Sequence, residues 1–147
     1  MNAKEYLQRI RSLDKQIKNK KLEIEDIKNK MLGSVAISYE PKIGVSGAVN
    51  TKSPQEKYLC ICIEYEEKLA QDVDNLMLLK REAMRLIDQI DDADCIDLLY
   101  KRYFQFMKWE QIAVEKNYSY QGILKLHGRA LQKFDRILKE CTRVYIE

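Results

Sequence analysis

Apolar residues recur along positions 3–32 in steps that alternate between four and three: Tyr6, Ile10, Leu13, Ile17, Ile24, Ile27 and Met31. That period predicts one long amphipathic helix with a heptad seam. Ile10, Ile17, Ile24 and Met31 form one column of the seam. Tyr6, Leu13 and Ile27 form the other, together with one polar residue, Lys20. Gly33 is expected to end the helix. The next stretch, residues 33–53, breaks every period and holds three of the five Gly and one of the two Pro. It reads as a long flexible loop, within which Val35 to Ser38 and Ile43 to Val49 could pair as a short hairpin.

A second helix is expected over about 54–91. Ser53 can cap it, Pro54 suits its first position, and Glu56 can complete a capping box. Its seam runs through Tyr58, Cys62, Tyr65, Leu69, Leu76, Leu79, Ala83, Leu86 and Ile90, with Asp72 in the one polar place. Two long helices joined by a loop should fold back as an antiparallel hairpin. If Met31 lies near Ile61 and Cys62, Lys20 falls opposite Asp72, so the two polar seam positions are expected to face each other.

The run DDAD at 91–94 supplies a break and a new helix start, because Asp caps and opposes the helix dipole. A third helix is expected over about 94–106, burying Ile96, Leu99, Tyr103 and Phe104. Residues 108–134, KWEQIAVEKNYSYQGILKLHGRALQKF, read as two helices around a tight turn. Lys108 to Lys116 form the first, with Ile112 inward and Ala113 small where another helix must cross. Asn117 tolerates the left-handed backbone of a sharp turn, and Tyr118 can pack at the corner. Ser119 caps the second helix, whose apolar positions are Ile123, Leu126, Ala130, Leu131 and Phe134. This is helix-turn-helix spacing, which DNA readers share with ordinary helical corners. Trp109 is expected to anchor the helices rather than recognise a ligand.

Charge shifts that balance. The net charge is only +3, but residues 98–139 carry nine Lys/Arg against three Asp/Glu. Residues 1–32 carry nine against five, and residues 55–95 carry five against eleven. Lys116, Lys125, Arg129 and Lys133 flank the corner or recur along its second helix, where cations could hold phosphates.

Other chemistries find little to stand on. Cys60, Cys62, Cys95 and Cys141 form no C-x-x-C pair, and His127 is the only histidine. A zinc site is therefore not expected, and the cysteines read as free thiols. His127 is expected beside the core rather than on a metal. No nucleophile–base pair or phosphate loop suggests an enzyme, and no cofactor is implied. No apolar run approaches the ~20 residues that span a bilayer, and the opening MNAKEYLQRI is unlike a signal peptide, so a cytoplasmic location is expected.

The stretch from Leu98 to Phe134 resembles region four of bacterial sigma factors. The resemblance is carried by Trp109-Glu110-Gln111-Ile112-Ala113, the turn Asn117-Tyr118-Ser119, and Ile123 through Ala130-Leu131-Gln132-Lys133. The chain as a whole, apart from 33–53, resembles ArpU-like late-gene transcription regulators of phages and prophages. AKEYLQRIRSLDKQI, LKREAMRLIDQIDD and YSYQGILKLHGRALQKF carry that likeness. The resemblance implies that the positions after the Ser119 cap, Tyr120, Gln121, Leu124 and Lys125, face the major groove. There Gln121 could pair with adenine, Lys125 could reach guanine, and Tyr120 could meet a phosphate or a thymine methyl. Gly122 and Leu124 depart from the family pattern, standing where arginine-like donors are common. Binding could therefore call on a dimer, a partner or RNA polymerase.

The expectation is an all-α chain: a helical hairpin over 1–92 and a helix-turn-helix domain over 93–147. It would read double-stranded DNA and regulate phage or prophage transcription. RNA polymerase and a second copy, paired through the hairpin, are further expected partners. The rival reading is a protein-binding helical adaptor that docks through the acidic face at 64–74 and has little DNA affinity.

Overall fold

The computed structural model describes residues 1–37 and 53–146. Among the described residues the chain is all-helical, with no strand. The helices are α1 (Ala3–Ile37), α2 (Pro54–Ile87), α3 (Ala93–Leu99), α4 (Trp109–Lys116) and α5 (Tyr120–Val144), and a π-helical turn, Tyr100–Phe104, continues α3. The residues group into two compact units, Lys15–Asp74 and Met1–Asp14 with Asn75–Glu147.

Within the unit 15–74, stretches of α1 and α2 run antiparallel and are joined at two ion pairs. Lys20 pairs with Asp72, and Lys28 Nζ lies 2.8 Å from Glu66. Along the seam this unit buries Ile17, Ile24, Ile27 and Cys62. The polar seam positions therefore do face each other. Such a pair adds little stability in partial exposure, but it disfavours any register that leaves either charge against an apolar neighbour. Ser53 caps α2, its Oγ accepting from the Glu56 N–H at 3.2 Å. Gly33 does not end α1, which continues to Ile37. A glycine inside a helix costs only ~1 kcal/mol relative to alanine, so it permits a stop without imposing one. Val35 to Ile37 are thus helical rather than part of a hairpin, and the remainder of that expected loop, 38–52, lies outside the described residues.

The other unit holds most of the core. Asn2 and Glu5 cap the start of α1 reciprocally, and the Ala3 N–H donates to Asp135 Oδ1 of α5 at 3.0 Å. The Tyr6 ring meets Phe134 of α5 at 5.7 Å between centroids. Leu7 lies off the heptad seam and is nonetheless completely buried, as is nearly all of Ala3 one heptad before Ile10. The opening of α1 therefore belongs with the C-terminal helices, and this unit does not begin at residue 93 as the seam suggested. Helix α2 stops at Ile87, short of 91, in two tighter turns closed by Gln89 N–H to Leu86 and Ile90 N–H to Ile87.

Asp92 caps α3, accepting from the Asp94 and Cys95 N–H groups. Its apolar stripe starts one residue earlier than expected: Cys95, Leu98, Leu99 and Tyr103 are buried, while Ile96 and Phe104 are half-buried. A thiol buries as readily as a small hydrophobe, so Cys95 takes the place assigned to Ile96. The expected α-helix to 106 becomes a π-helical turn, closed by Gln105 N–H to the Tyr100 carbonyl, and Phe106 then takes a left-handed backbone at φ 56°. Helices α3 and α4 both pack on α5, whose Ile123, Leu126, Ala130 and Phe134 are buried. Leu131, also expected inward, is half-buried. Phe134 has no exposed surface, and truncating it to Ala would cost about 3–5 kcal/mol.

Candidate nucleic-acid interface

The corner between α4 and α5 is built from local rules. The Lys108 N–H donates to Gln111 Oε1 at 3.2 Å, which satisfies a free donor where α4 begins. Ile112 and Ala113 turn inward. Asn117 closes the helix in the left-handed region, φ 57° and ψ 38°, and Tyr118 N–H reaches back to the Ala113 carbonyl at 2.9 Å. Asn is among the few residues that occupy this region at low cost. Ser119 is extended and caps α5, its Oγ accepting from the Gly122 N–H at 3.0 Å.

That cap explains Gly122. A Cβ on residue 122 would sit 2.9 Å from Ser119 Oγ and 3.4 Å from the Tyr118 ring. The absence of a side chain at Gly122 leaves room for the capping hydroxyl. Tyr118 packs at the corner against this position while remaining 39% exposed.

After the cap, Tyr120, Gln121, Leu124 and Lys125 are all exposed. They occupy the first turns of α5, opposite the buried Ile123 and Leu126. The four positions thus form one accessible edge with an amide, a phenol, an ammonium and an apolar side chain. Such an edge has the donors, acceptor and methyls that base edges can meet.

The flanking cations divide into two kinds. Lys116 is committed internally: its Nζ lies 2.8 Å from Asp97 and 3.4 Å from Asp94, and its side chain is only 9% exposed. Burial pulls its pKa down, but the two carboxylates outweigh that and leave it raised. Lys133 likewise pairs with Asp91 at 2.7 Å and lies 3.8 Å from Asp92. These two lysines hold α4 and α5 to the start of α3 and the residues just before it. Lys125 and Arg129 are exposed, and among the described residues neither enters an ion pair. Of the four cations expected at phosphates, Lys125 and Arg129 are the available ones.

Behind the edge, Trp109 packs against the His127 imidazole with centroids 4.5 Å apart, and the Arg102 guanidinium lies 4.4 Å over the indole. The Tyr103 hydroxyl is 2.8 Å from His127 Nε2. Burial first, then the charges of Arg102 and Lys4, push the imidazole pKa down to about 4. His127 is therefore neutral at pH 7 and half-buried beside the core. Trp109 thus anchors these helices, as its place in the sequence predicts, while Arg102, seated on its ring, has no local sequence signal.

Among the described residues no group of three or more His, Cys, Asp or Glu could hold a metal. All four cysteines are free thiols. Burial, then Asp92, push the Cys95 thiol up to about 11, so it carries almost no thiolate at neutral pH. No helix among the described residues is long and apolar enough to cross a membrane. Compared with protein-family models, with curated proteins and with solved structures, the chain matches none of them.

Proposed function

We propose that this chain is a sequence-specific reader of double-stranded DNA that regulates phage or prophage transcription. In this reading it is a helical hairpin with a C-terminal module like region four of sigma factors. The start of α5 enters the major groove, where Gln121 and Lys125 read base edges and Tyr120 and Leu124 meet a phosphate or a thymine methyl. Arg129 holds a phosphate. The observation that carries the reading is the exposed edge Tyr120, Gln121, Leu124 and Lys125, presented directly after a left-handed Asn117 and a Ser119 cap. A plain structural corner has no need of four accessible side chains of that chemistry in its first turns. RNA polymerase and a second copy of the chain are the partners that would add specificity, since the edge carries only one cation.

The test is selection from a pool of random duplexes at low and at moderate salt. An enriched motif, lost in a Gln121→Ala, Lys125→Ala variant, is the expected result. Retention without enrichment would mean phosphate binding without base readout.

One observation favours a second reading, a protein-binding adaptor. Leu59, Ile61 and Ile63 stand 50%, 40% and 48% exposed on α2, beside the acidic run at 64–74. Absence of duplex binding at either salt would make that reading the better one.

A further inference from the structure

Within the same compact unit as the corner, a cleft of about 290 Å3 opens between α1, the π-helical turn, α4 and α5. Three cations line it: Lys4 and Arg11 from α1, and Arg102 from the π-helical turn. Three rings line it too, those of Tyr103, Trp109 and His127. Lys4 and Arg11 sit seven residues apart on α1, two turns along one face. Arg102 is held by one N–H bond to the Met107 carbonyl at 2.9 Å and by its seat on Trp109, which leaves the rest of its donor fork free.

These charges lack a counter-ion. Among the described residues, none of Lys4, Arg11 and Arg102 joins an ion pair, and Glu110 acts on Arg102 only from beyond ion-pair distance. Burial and then Arg11 lower the Arg102 pKa, and Arg102 and Lys4 both depress His127. A fold that gathers mutually repelling cations around a half-buried cleft is left with a positive potential that an anion would relieve.

We propose that this cleft binds a phosphate group, with Lys4, Arg11 and Arg102 as donors and the Trp109 and His127 rings as the wall beside the attached sugar. The guanidinium forks suit phosphate geometry, and the aromatic wall suits what a phosphate carries. Leu124, one of the four residues of the reading edge, also lines the cleft. A strand lying along that edge would bring its next phosphate to these cations, so α1 would share in the contact. In that respect the inference rests on the DNA reading above. A free nucleotide offers the same chemistry, and the probes separate the two sources.

His127 is the only histidine of the chain, so its NMR titration reports the cleft without ambiguity. The full chain is titrated alone, with inorganic phosphate, with AMP, and with duplex DNA. Occupancy by phosphate should raise the His127 pKa by about one unit, because an anion offsets Arg102 and Lys4. A Lys4→Gln, Arg11→Gln variant changes only exposed or half-buried side chains and should fold. It should abolish the shift, weaken duplex binding about tenfold, and flatten the salt dependence by about one unit of slope per phosphate lost. A shift with phosphate or AMP but no duplex binding would keep the phosphate site and remove the DNA reading. Duplex binding with no His127 shift, and with unchanged affinity and slope in the variant, would overturn the inference and spare the reading. No shift with any probe overturns it outright.

Discussion

The Tyr103 hydroxyl and His127 Nε2 lie 2.8 Å apart in the wall behind the corner, with Trp109 against the imidazole and Arg102 and Lys4 acting on it. The imidazole is therefore held neutral, its pKa pushed down to about 4, where an unfolded chain would titrate near 6.5. Above pH 6.5 the ring is neutral in both states and exerts no pull. Between pH 6.5 and 4 the unfolded chain takes up a proton that the folded chain refuses. Stability should fall across that window and level off below it. After discounting for partial exposure, the loss is about 2 kcal/mol. Denaturant midpoints at pH 7 and 4.5, for the wild type and for His127→Gln, isolate this loss from that of the carboxylates common to both. An identical pH dependence in the two proteins would refute it.

Lys116 and Lys125 carry the same charge on either side of the corner and should behave oppositely. Lys116 sits at 9% exposure between Asp97 and Asp94, whereas Lys125 is exposed. Removing Lys116 leaves Asp94 without its cation, and leaves Asp97 only the more distant Lys101 at 3.8 Å, where α4 meets α3. Lys116→Ala should cost about 1–2 kcal/mol of stability, less than a fully buried pair because both aspartates reach solvent. Lys125→Ala should leave stability within about 0.5 kcal/mol and weaken duplex binding. Paired thermal melts and binding isotherms decide between them. A stable Lys116→Ala protein with weakened DNA binding would return that lysine to the interface.

The contrast between these lysines also marks what the sequence could reveal. The Ser53 and Ser119 caps and the left-handed Asn117 depend on neighbours within a few residues, so local chemistry discloses them. The Lys20–Asp72 pairing is longer in range but follows from two heptad seams and one register. Lys116 finds its partners across a fold, at Asp97 and Asp94, where no period points. Leu7 is buried because the opening of α1 packs with C-terminal helices, which a two-helix seam does not anticipate. The cleft cations come from distant parts of the sequence, Lys4 and Arg11 against Arg102, and the π-helical turn that carries Arg102 leaves no mark in an apolar stripe. Readable features were those set by one helix or one pair of helices. The rest depended on how several helices meet.

Lys20 and Asp72 make a second contrast, between stability and register. Their side chains are 26% and 17% exposed, so their attraction is partly screened and their desolvation partly spared. Replacing both with Leu should keep the helix content and shift the melting temperature by only a few degrees, since an apolar pair fits the seam equally well. Either single replacement should cost more than the double, because it leaves one charge facing Leu. Circular dichroism melts of the three variants test this. Loss of the cooperative transition in the double variant alone would show that the ion pair itself carries the stability.

Gly122 offers the sharpest test of the corner, because two local effects oppose each other at one atom. Alanine inside an exposed helix is worth up to ~1 kcal/mol over glycine. Here the added Cβ would stand 2.9 Å from Ser119 Oγ, too close for both to remain. The hydroxyl would have to rotate off the Gly122 N–H, losing a cap worth ~1 kcal/mol. Gly122→Ala alone should therefore be nearly neutral. Once Ser119→Ala has removed the hydroxyl, the same change should stabilise by about 1 kcal/mol. The coupling between the two substitutions is then about 1 kcal/mol, readable from chemical denaturation of the four proteins in a double-mutant cycle. Strict additivity would mean that Ser119 does not cap α5 in solution. The edge that begins at Tyr120 would then lack the fixed helix start on which its presentation to a groove depends.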